Sequence, residues 1–320
     1  MGRTALHVAA HKGCLTMLSL LNSRQNLQPE IQDKDGLTAL HLATRGKSTV
    51  GLNYLLTSVI KSSLIDQRDA NLRTPLSWAA CVGSSSGIKL LLSMGANPCL
   101  PDVEGQTPLH WAVRRSNNAK TVRLILNSSS SLINWADHNG RTPLHLAISC
   151  GNVNIVKELM KTPVAKVTRV SSLKTSKISP QTNRKTVSMA NIKLPTLKIK
   201  ADVLISDNAF RTILHCAAQV GDPDITKIIL ENSSNPNKIL MATDSIGATP
   251  LHYAAQHDHI QIVNVLLDNF NADITTFINQ VDSDGRSALH WAATKGAMEG
   301  VSSLFWDFSG FSWVIYLIAF

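Results

Sequence analysis

Apolar residues recur along this chain at i, i+3 and i+4 in short windows, the spacing that lines one face of a helix. Val153-Asn154-Ile155-Val156-Lys157-Glu158-Leu159-Met160 and Ile260-Gln261-Ile262-Val263-Asn264-Val265-Leu266-Leu267 show it most cleanly. Each window predicts a short helix whose apolar face must be covered by a neighbour. Polar turns separate such units: Asp102-Val103-Glu104-Gly105 and Asp282-Ser283-Asp284-Gly285 carry the Asp and Gly that suit tight loop tips. No segment alternates with the period of a strand.

A second pattern precedes these windows. A block of the form Gly-x-Thr-Pro-Leu-His-x-Ala returns eight times, at Thr4, Thr38, Thr74, Thr107, Thr142, Thr212, Thr249 and Ser287. Thr107-Pro108-Leu109-His110, Thr142-Pro143-Leu144-His145 and Thr249-Pro250-Leu251-His252 are the fullest copies. Successive markers lie 34, 36, 33, 35, 70, 37 and 38 residues apart, so one interval is about double the rest. Thr is a good N-cap, and Pro is favoured at the first helical position, where its missing N–H costs nothing. Every block therefore reads as the start of a first helix. The pairs Ala79-Ala80, Ala217-Ala218, Ala254-Ala255 and Ala292-Ala293 let neighbouring helices approach closely, and Gly83, Gly151, Gly221 and Gly296 end the helix.

Motif and period are those of the ankyrin repeat, and the chain resembles that family over roughly residues 2 to 305. The resemblance implies an all-α ankyrin-repeat solenoid of about eight helix-turn-helix repeats. Stacking must stabilise it, because one helix pair cannot bury its apolar face alone. Repeats one to five are expected in residues 1–161 and repeats six to eight in 201–306, separated by an insert at 162–200 and followed by an apolar tail at 307–320. Terminal repeats need a polar cap, which neither end carries, so the expectation is a fragment or a variant product. The stretch Phe308 to Phe320 is apolar for 13 residues, short of the roughly 20 that a membrane helix needs. It folds over the last repeat as a cap or is the read-through end of a variant transcript.

Within the family, several stretches resemble the inversin type. They are Pro101-Asp102-Val103-Glu104-Gly105 ahead of Pro108-Leu109-His110-Trp111-Ala112, then Leu132-Ile133-Asn134-Trp135-Ala136-Asp137, then Ile246-Gly247-Ala248-Thr249-Pro250-Leu251-His252-Tyr253. That resemblance implies a cytoplasmic, cilium-associated scaffold that recruits nephrocystin-type partners and biases Wnt signalling through Dishevelled. Inversin-type proteins also carry a longer array and calmodulin-binding IQ segments. Neither is found in this sequence, so calmodulin binding is not carried over. The family's destruction-box motif, Arg-x-x-Leu, occurs here at Arg3, Arg73, Arg141, Arg211 and Arg286 as a by-product of the repeat. The alternative reading is the cytoplasmic ankyrin portion of a membrane channel or receptor.

The net charge of +9 suggests nucleic acid until it is mapped. Residues 161–200 hold ten Lys or Arg and no acid, leaving 21 basic and 22 acidic residues elsewhere. The insert at 162–200 also holds 11 Ser or Thr and three Pro, a composition that cannot bury enough apolar surface to offset ordering entropy. It is expected to loop out, either as a contact for acidic proteins, microtubules or anionic lipid, or as a loop without a partner. It lacks the interleaved aromatics of a stacking surface, so no specific nucleic acid is expected. Five cysteines are far apart, without CxxC pairs or zinc spacing.

Seven of the 11 histidines, His7, His41, His110, His145, His215, His252 and His290, share one repeat position. A solenoid sets such residues a repeat apart instead of converging them on a metal, so structural hydrogen bonds are expected and no metal site or cofactor. No kinase, GxSxG or HExxH signature occurs, and Gly46-Lys47-Ser48 lacks the glycine a phosphate loop needs five residues earlier. The reading is a non-enzyme. The stripe after the histidine reads as core, although tryptophan also anchors interfaces, so for Trp78 and Trp111 contact with a partner stays open as the alternative. Partner-binding candidates are His11, Lys12, Arg45, Arg114, Arg115, His257 and Lys295, at the ends of first helices where ankyrin families line a concave groove that binds other proteins. Cations there also complement the negative end of a helix, and both readings stand.

Overall fold

The computed structural model describes residues 2–24, 27–46, 49–115, 118–161 and 201–297. Among these residues lie seventeen α-helices and no strand, only the isolated bridges Ser206 to Thr212 and Val281 to Ser287. The first helices of repeats one to eight are Ala5–Lys12, Ala39–Arg45, Pro75–Val82, Pro108–Arg115, Pro143–Ser149, Ile213–Val220, Pro250–Gln256 and Ala288–Lys295. The second helices of repeats one to seven are Leu15–Asn22, Thr49–Tyr54, Ser85–Ser93, Ala119–Ser128, Val153–Met160, Pro223–Glu231 and Ile260–Asp268. First helices pack on the first helices of adjacent repeats, and second helices largely on second helices. The result is the all-α stack of helical hairpins that the period predicts.

Each hairpin starts and stops where its sequence says. The marker Thr or Ser is extended and caps the helix, with Pro at the first position in repeats three, four, five and seven. Gly13, Gly83, Gly221 and Gly296 end four first helices in the left-handed region that glycine enters without strain. Repeat five differs from expectation: its helix stops at Ser149, capped by Cys150, and the left-handed Gly151 follows. Ala79, Ala80, Ala217, Ala218, Ala254 and Ala255 are fully buried, as close helix approach requires. Ala293 is exposed. Leu76, Leu109, Leu214 and Leu251 fill the space beneath the first helices and Ile155, Val156, Ile262 and Val263 that beneath the second, at about 1.5–3 kcal/mol for each large aliphatic chain.

Repeats five and six pack directly on each other, although residues 162–200 lie between them in sequence. Their first helices pack together, and the Asn208 amide donates to the Asn139 carbonyl at 3.0 Å. The expectations for the insert at 162–200, the tail at 307–320 and the second helix of repeat eight lie outside the described residues.

The loop tips form a second ladder. In each tip an Asp carboxylate oxygen accepts two backbone N–H groups of its own turn, as Asp69 does from Asn71 and Arg73, both at 2.9 Å. Adjacent tips are joined by single backbone hydrogen bonds, such as Ala70 N–H to the Asp35 carbonyl and Val103 N–H to Asn71. The turn needs a left-handed residue three after the Asp. Gly36, Gly105, Gly140, Gly247 and Gly285 supply it, but repeats three and six place Leu72 and Phe210 there, both at φ 59. A side chain in that conformation costs roughly 1–2 kcal/mol. Replacing Leu72 or Phe210 by Gly is therefore expected to raise stability by about 1 kcal/mol in chemical denaturation, and an unchanged or lower midpoint would contradict the strain.

Candidate binding surface

The repeat histidines are consumed by the fold. In repeats one, two, four, five, six and seven the Nδ1 atom accepts the backbone N–H of the capping Thr, at 3.0–3.3 Å in the pairs Thr4–His7, Thr38–His41, Thr107–His110, Thr142–His145, Thr212–His215 and Thr249–His252. The Nε2 atom faces a carbonyl of the next repeat, as His7 faces Leu37 at 2.8 Å, His41 faces Arg73 at 3.0 Å and His215 faces Ala248 at 3.0 Å. A carbonyl only accepts, so Nε2 must carry the proton and the ring is neutral. Burial pushes His41, His110 and His215 down to about 4. Neither ring nitrogen is left for a metal or a proton transfer. Among the described residues no cluster of three His, Cys, Asp or Glu could hold a metal ion. Cys216, one residue on from His215, is pushed up to about 11 by burial, a thiol unsuited to nucleophilic work.

Half of the stripe after the histidine is core as the sequence suggests, with Leu42, Leu146, Cys216 and Trp291 buried, and half is not. Val8 is 52% exposed, and Trp78, Trp111 and Tyr253 are half-buried. Their polar atoms tie first helix to loop tip: Trp78 Nε1 donates to Asp69 at 2.9 Å, Trp111 Nε1 to Asp102 at 2.9 Å, Tyr253 Oη to Asp244 at 2.7 Å and Trp291 Nε1 to Asp282 at 2.8 Å. The nine-residue spacing from Asp to ring donor is readable in the sequence, but only once the Asp is known to face inward.

All seven candidate residues are exposed. Lys12, Arg45, Arg115 and Lys295 are the last residues of their helices, His11 and Arg114 the next to last, and His257 caps the end of its own. They fall into two groups. His11 Nδ1 stands 3.5 Å from the Leu42 carbonyl, linking repeat one to repeat two. The Arg45 guanidinium lies 4.9 Å from the Trp78 ring centroid, and Arg114 lies 6.0 Å from that of Trp111. Between them stands Arg73, 4.4 Å from Trp78 and 5.8 Å from Trp111. At the far end His257 stacks on His259, with 5.8 Å between ring centroids. Burial, with His259 and Lys295 beside it, holds the His257 ring below its ordinary range. His259 itself is half-buried, its Nε2 3.2 Å from the Gln219 carbonyl. The first helices of repeats three, five and six contribute no Lys or Arg, so the two groups are not continuous.

Not one of the eight first helices contains an Asp or Glu. The near-neutral balance outside the insert also conceals a split. Residues 38–135 hold ten Lys or Arg against four Asp or Glu, whereas residues 201–297 hold five against eleven. The basic character assigned to the insert alone thus extends to repeats two to four. No described helix is long and apolar enough to cross a membrane.

A family model described as Ankyrin repeats (3 copies) matches residues 6–102, 76–170, 192–278 and 248–310. Inversin of Canis lupus familiaris is 40% identical over 175 residues, 53% of this chain and 16% of that protein. Inversin of Danio rerio is 35% identical over 304 residues, 83% of this chain and 29% of that protein. The human transient receptor potential cation channel subfamily A member 1 is 25% identical over 344 residues, 95% of this chain and 30% of that protein. The chain thus spans less than a third of the length of these relatives. Repeat markers, buried bridging histidines and a family match on both sides of the long interval agree: the chain belongs to the ankyrin-repeat family.

Proposed function

We propose that this chain is a non-catalytic, inversin-like scaffold that binds other proteins through the face carrying the ends of its first helices, the concave side of the solenoid. The observation that carries this reading is how its polar groups are used. Histidines, loop aspartates and ring donors are committed to holding repeats together, while a set of cations at the first-helix ends has no ion pair among the described residues. His11, Lys12, Arg45, Arg114, Arg115, His257 and Lys295 are the contact residues in this reading. The inversin likeness supports the finer assignment: a cytoplasmic, cilium-associated protein linked to Wnt signalling, with nephrocystin-type proteins or Dishevelled as partners. A second reading, the cytoplasmic ankyrin portion of a membrane channel, draws on the match to the human cation channel over 95% of the chain.

A photo-crosslinking residue placed singly at Arg45, Arg114, His257 or Lys295, and for comparison at Lys120, Lys157 or Lys227 on second helices, tests the face. In ciliated cells the first set is expected to capture nephrocystin-type proteins or Dishevelled and the second set not. Capture from the second helices alone would assign binding to the opposite face. Capture of channel subunits in place of these partners would favour the second reading.

A further inference from the structure

We propose that Arg45, Trp78, Arg73, Trp111, Arg114 and Arg115 form a single docking ladder across repeats two to four, and that its occupant is an acidic peptide segment of a partner protein. This rests on the reading of the first-helix face as the binding surface and adds the chemistry of what binds there.

The ladder differs from a scatter of surface charges because its rings and three of its four arginines, Arg45, Arg73 and Arg114, are held, with Arg115 extending the row beside Arg114. Trp78 is fixed at its far edge by the indole hydrogen bond to Asp69, and Trp111 by that to Asp102. Each ring then offers its π system to guanidinium groups within 6.0 Å, a contact that is attractive for a cation. An arginine parked on a fixed ring loses less freedom when it meets a carboxylate than one waving in solvent, and such preorganisation is where affinity is gained. Guanidinium planes also present paired N–H donors that fit a carboxylate as a fork.

The acids near the ladder do not cancel it. Asp69 and Asp102 are 4% and 5% exposed. Asp69 spends its oxygens on Asn71, Arg73 and Trp78, and Asp102 spends its own on Glu104, Gln106 and Trp111. Asp69 does pair with Arg73, at 3.0 Å. Arg45, Arg114 and Arg115 have no ion pair among the described residues, and all three are exposed. Complementing a helix end explains a cation in the last turn but not why Arg45 reaches the indole of the next repeat, nor the excess of ten bases over four acids in 38–135. Asp69 and Asp102 lie inside the array, Asp66 is partly buried and Glu104 is exposed at its loop tip, whereas Arg45, Arg114 and Arg115 all face outward, so a partner that brings carboxylates meets a row of donors in excess of the acids beside it.

Binding of a fluorescein-labelled peptide of alternating Glu and Ser to the full chain, followed by anisotropy, tests this. The Glu peptide is expected to bind and its Gln twin not, with affinity falling as salt rises. Combining Arg114→Glu with Arg115→Glu is expected to weaken binding about tenfold or more, since like charges then face the ligand. The same change in charge at Lys120→Glu with Lys157→Glu, on second helices, is expected to leave it within about twofold. Trp78→Leu, which removes the ring but no charge, is expected to weaken binding severalfold, with an intact helical spectrum confirming the fold. Equal losses from both pairs of charge reversals would reduce the ladder to general electrostatics. Preference for soluble polyphosphate over the Glu peptide would overturn the occupant, as would salt-dependent self-association without peptide binding. Crosslinks from the first-helix face together with no Glu-peptide binding would sink the ladder alone and leave the scaffold reading standing.

Discussion

Acidification from pH 7 to pH 4 is expected to unfold the array through its buried histidines, read as a steep fall in the denaturation midpoint by circular dichroism. His41, His110 and His215 are held down to about 4 by burial, against about 6.5 in an unfolded chain. Between those values the unfolded state binds more protons than the folded one, so stability is complete above about pH 6.5 and declines as the pH falls toward 4. Each histidine removes about 1 kcal/mol per pH unit in that window, and roughly 3 kcal/mol by pH 4. The groups around them do not reverse the sign. Asp33 and Asp69 with Arg73 surround His41, Asp102 and Asp137 face His110, and Asp207, Asp244 and Arg211 face His215. None of these side chains is hydrogen-bonded to the rings; the capping Thr hydroxyl lies 2.9–3.0 Å from Nδ1, and in repeats two and six it already accepts from the helix backbone. Protonating Nδ1 would set a donor against the Thr N–H it now accepts. The loop aspartates act lower: burial pushes Asp33 and Asp137 up, but backbone N–H groups and arginines more than offset it, so their contribution is lost only below the ordinary carboxylate range. Repeat three supplies the control. Ser77 stands in the histidine position there, with its hydroxyl 3.2 Å from that of Thr74, and replacing His110 by Ser should flatten the acid dependence by one proton. A midpoint that stays level between pH 6.5 and 4.5 would show that these rings are not neutral spacers.

Much of this architecture was legible before any coordinate. Thr-Pro at the helix start, paired alanines and a terminal glycine are local chemistry, and eight copies with one period leave little freedom in how they stack. The exceptions are equally physical. Gly151 read as a helix end because it occupies the position of Gly83 and Gly221, yet the helix of repeat five closes earlier, at Ser149. Trp78 and Trp111 read as core because the residue after the histidine is apolar throughout, whereas their indole N–H groups are drawn to loop aspartates nine residues back. That contact spans helix and loop, and no periodicity in the helix encodes it.

The surface was legible only in part. Lys12, Arg45, Arg114, Arg115 and Lys295 could be named from their place at helix ends, but whether they share a surface depends on which side chains bridge adjacent repeats. Arg73 is that bridge on the basic side, and it was invisible because it belongs to the recurring Arg-x-x-Leu element. In repeats three, five, six and eight that arginine pairs with the loop Asp of its own turn. In repeat four Gln106 takes its place, and Asp102 is left to Trp111. Repeat units that look identical in sequence thus differ in which charge faces outward, a property set between repeats and not within them.

Replacing Asp137 by Ala is expected to cost about 2–3 kcal/mol, the upper part of the range for leaving buried polar groups without a hydrogen-bond partner. One oxygen of this side chain accepts the N–H groups of Asn139 and Arg141, both at 2.9 Å, and the other accepts Arg141 Nε at 3.1 Å and Nη2 at 2.9 Å. The Asp137 side chain is completely buried, so truncation leaves two backbone donors without an acceptor, while the guanidinium of Arg141, one third exposed, turns to water. The damage should also spread. The loop it organises receives Asn208 N–H on one side and donates His138 N–H to Glu104 on the other, so it joins repeat four to repeat six through repeat five. Solenoid stability is a sum of repeat and neighbour terms, and weakening this junction is expected to split one denaturation transition into two, with amide exchange accelerated first in repeats five and six. Asp137→Asn, which keeps a carbonyl acceptor for the turn, should recover more than half of the loss. Asp35→Ala, at an exposed tip position, should change stability by less than about 0.5 kcal/mol. A single transition for Asp137→Ala within about 1 kcal/mol of the parent chain would mean that the loop ladder follows the helical stack passively and does not couple it.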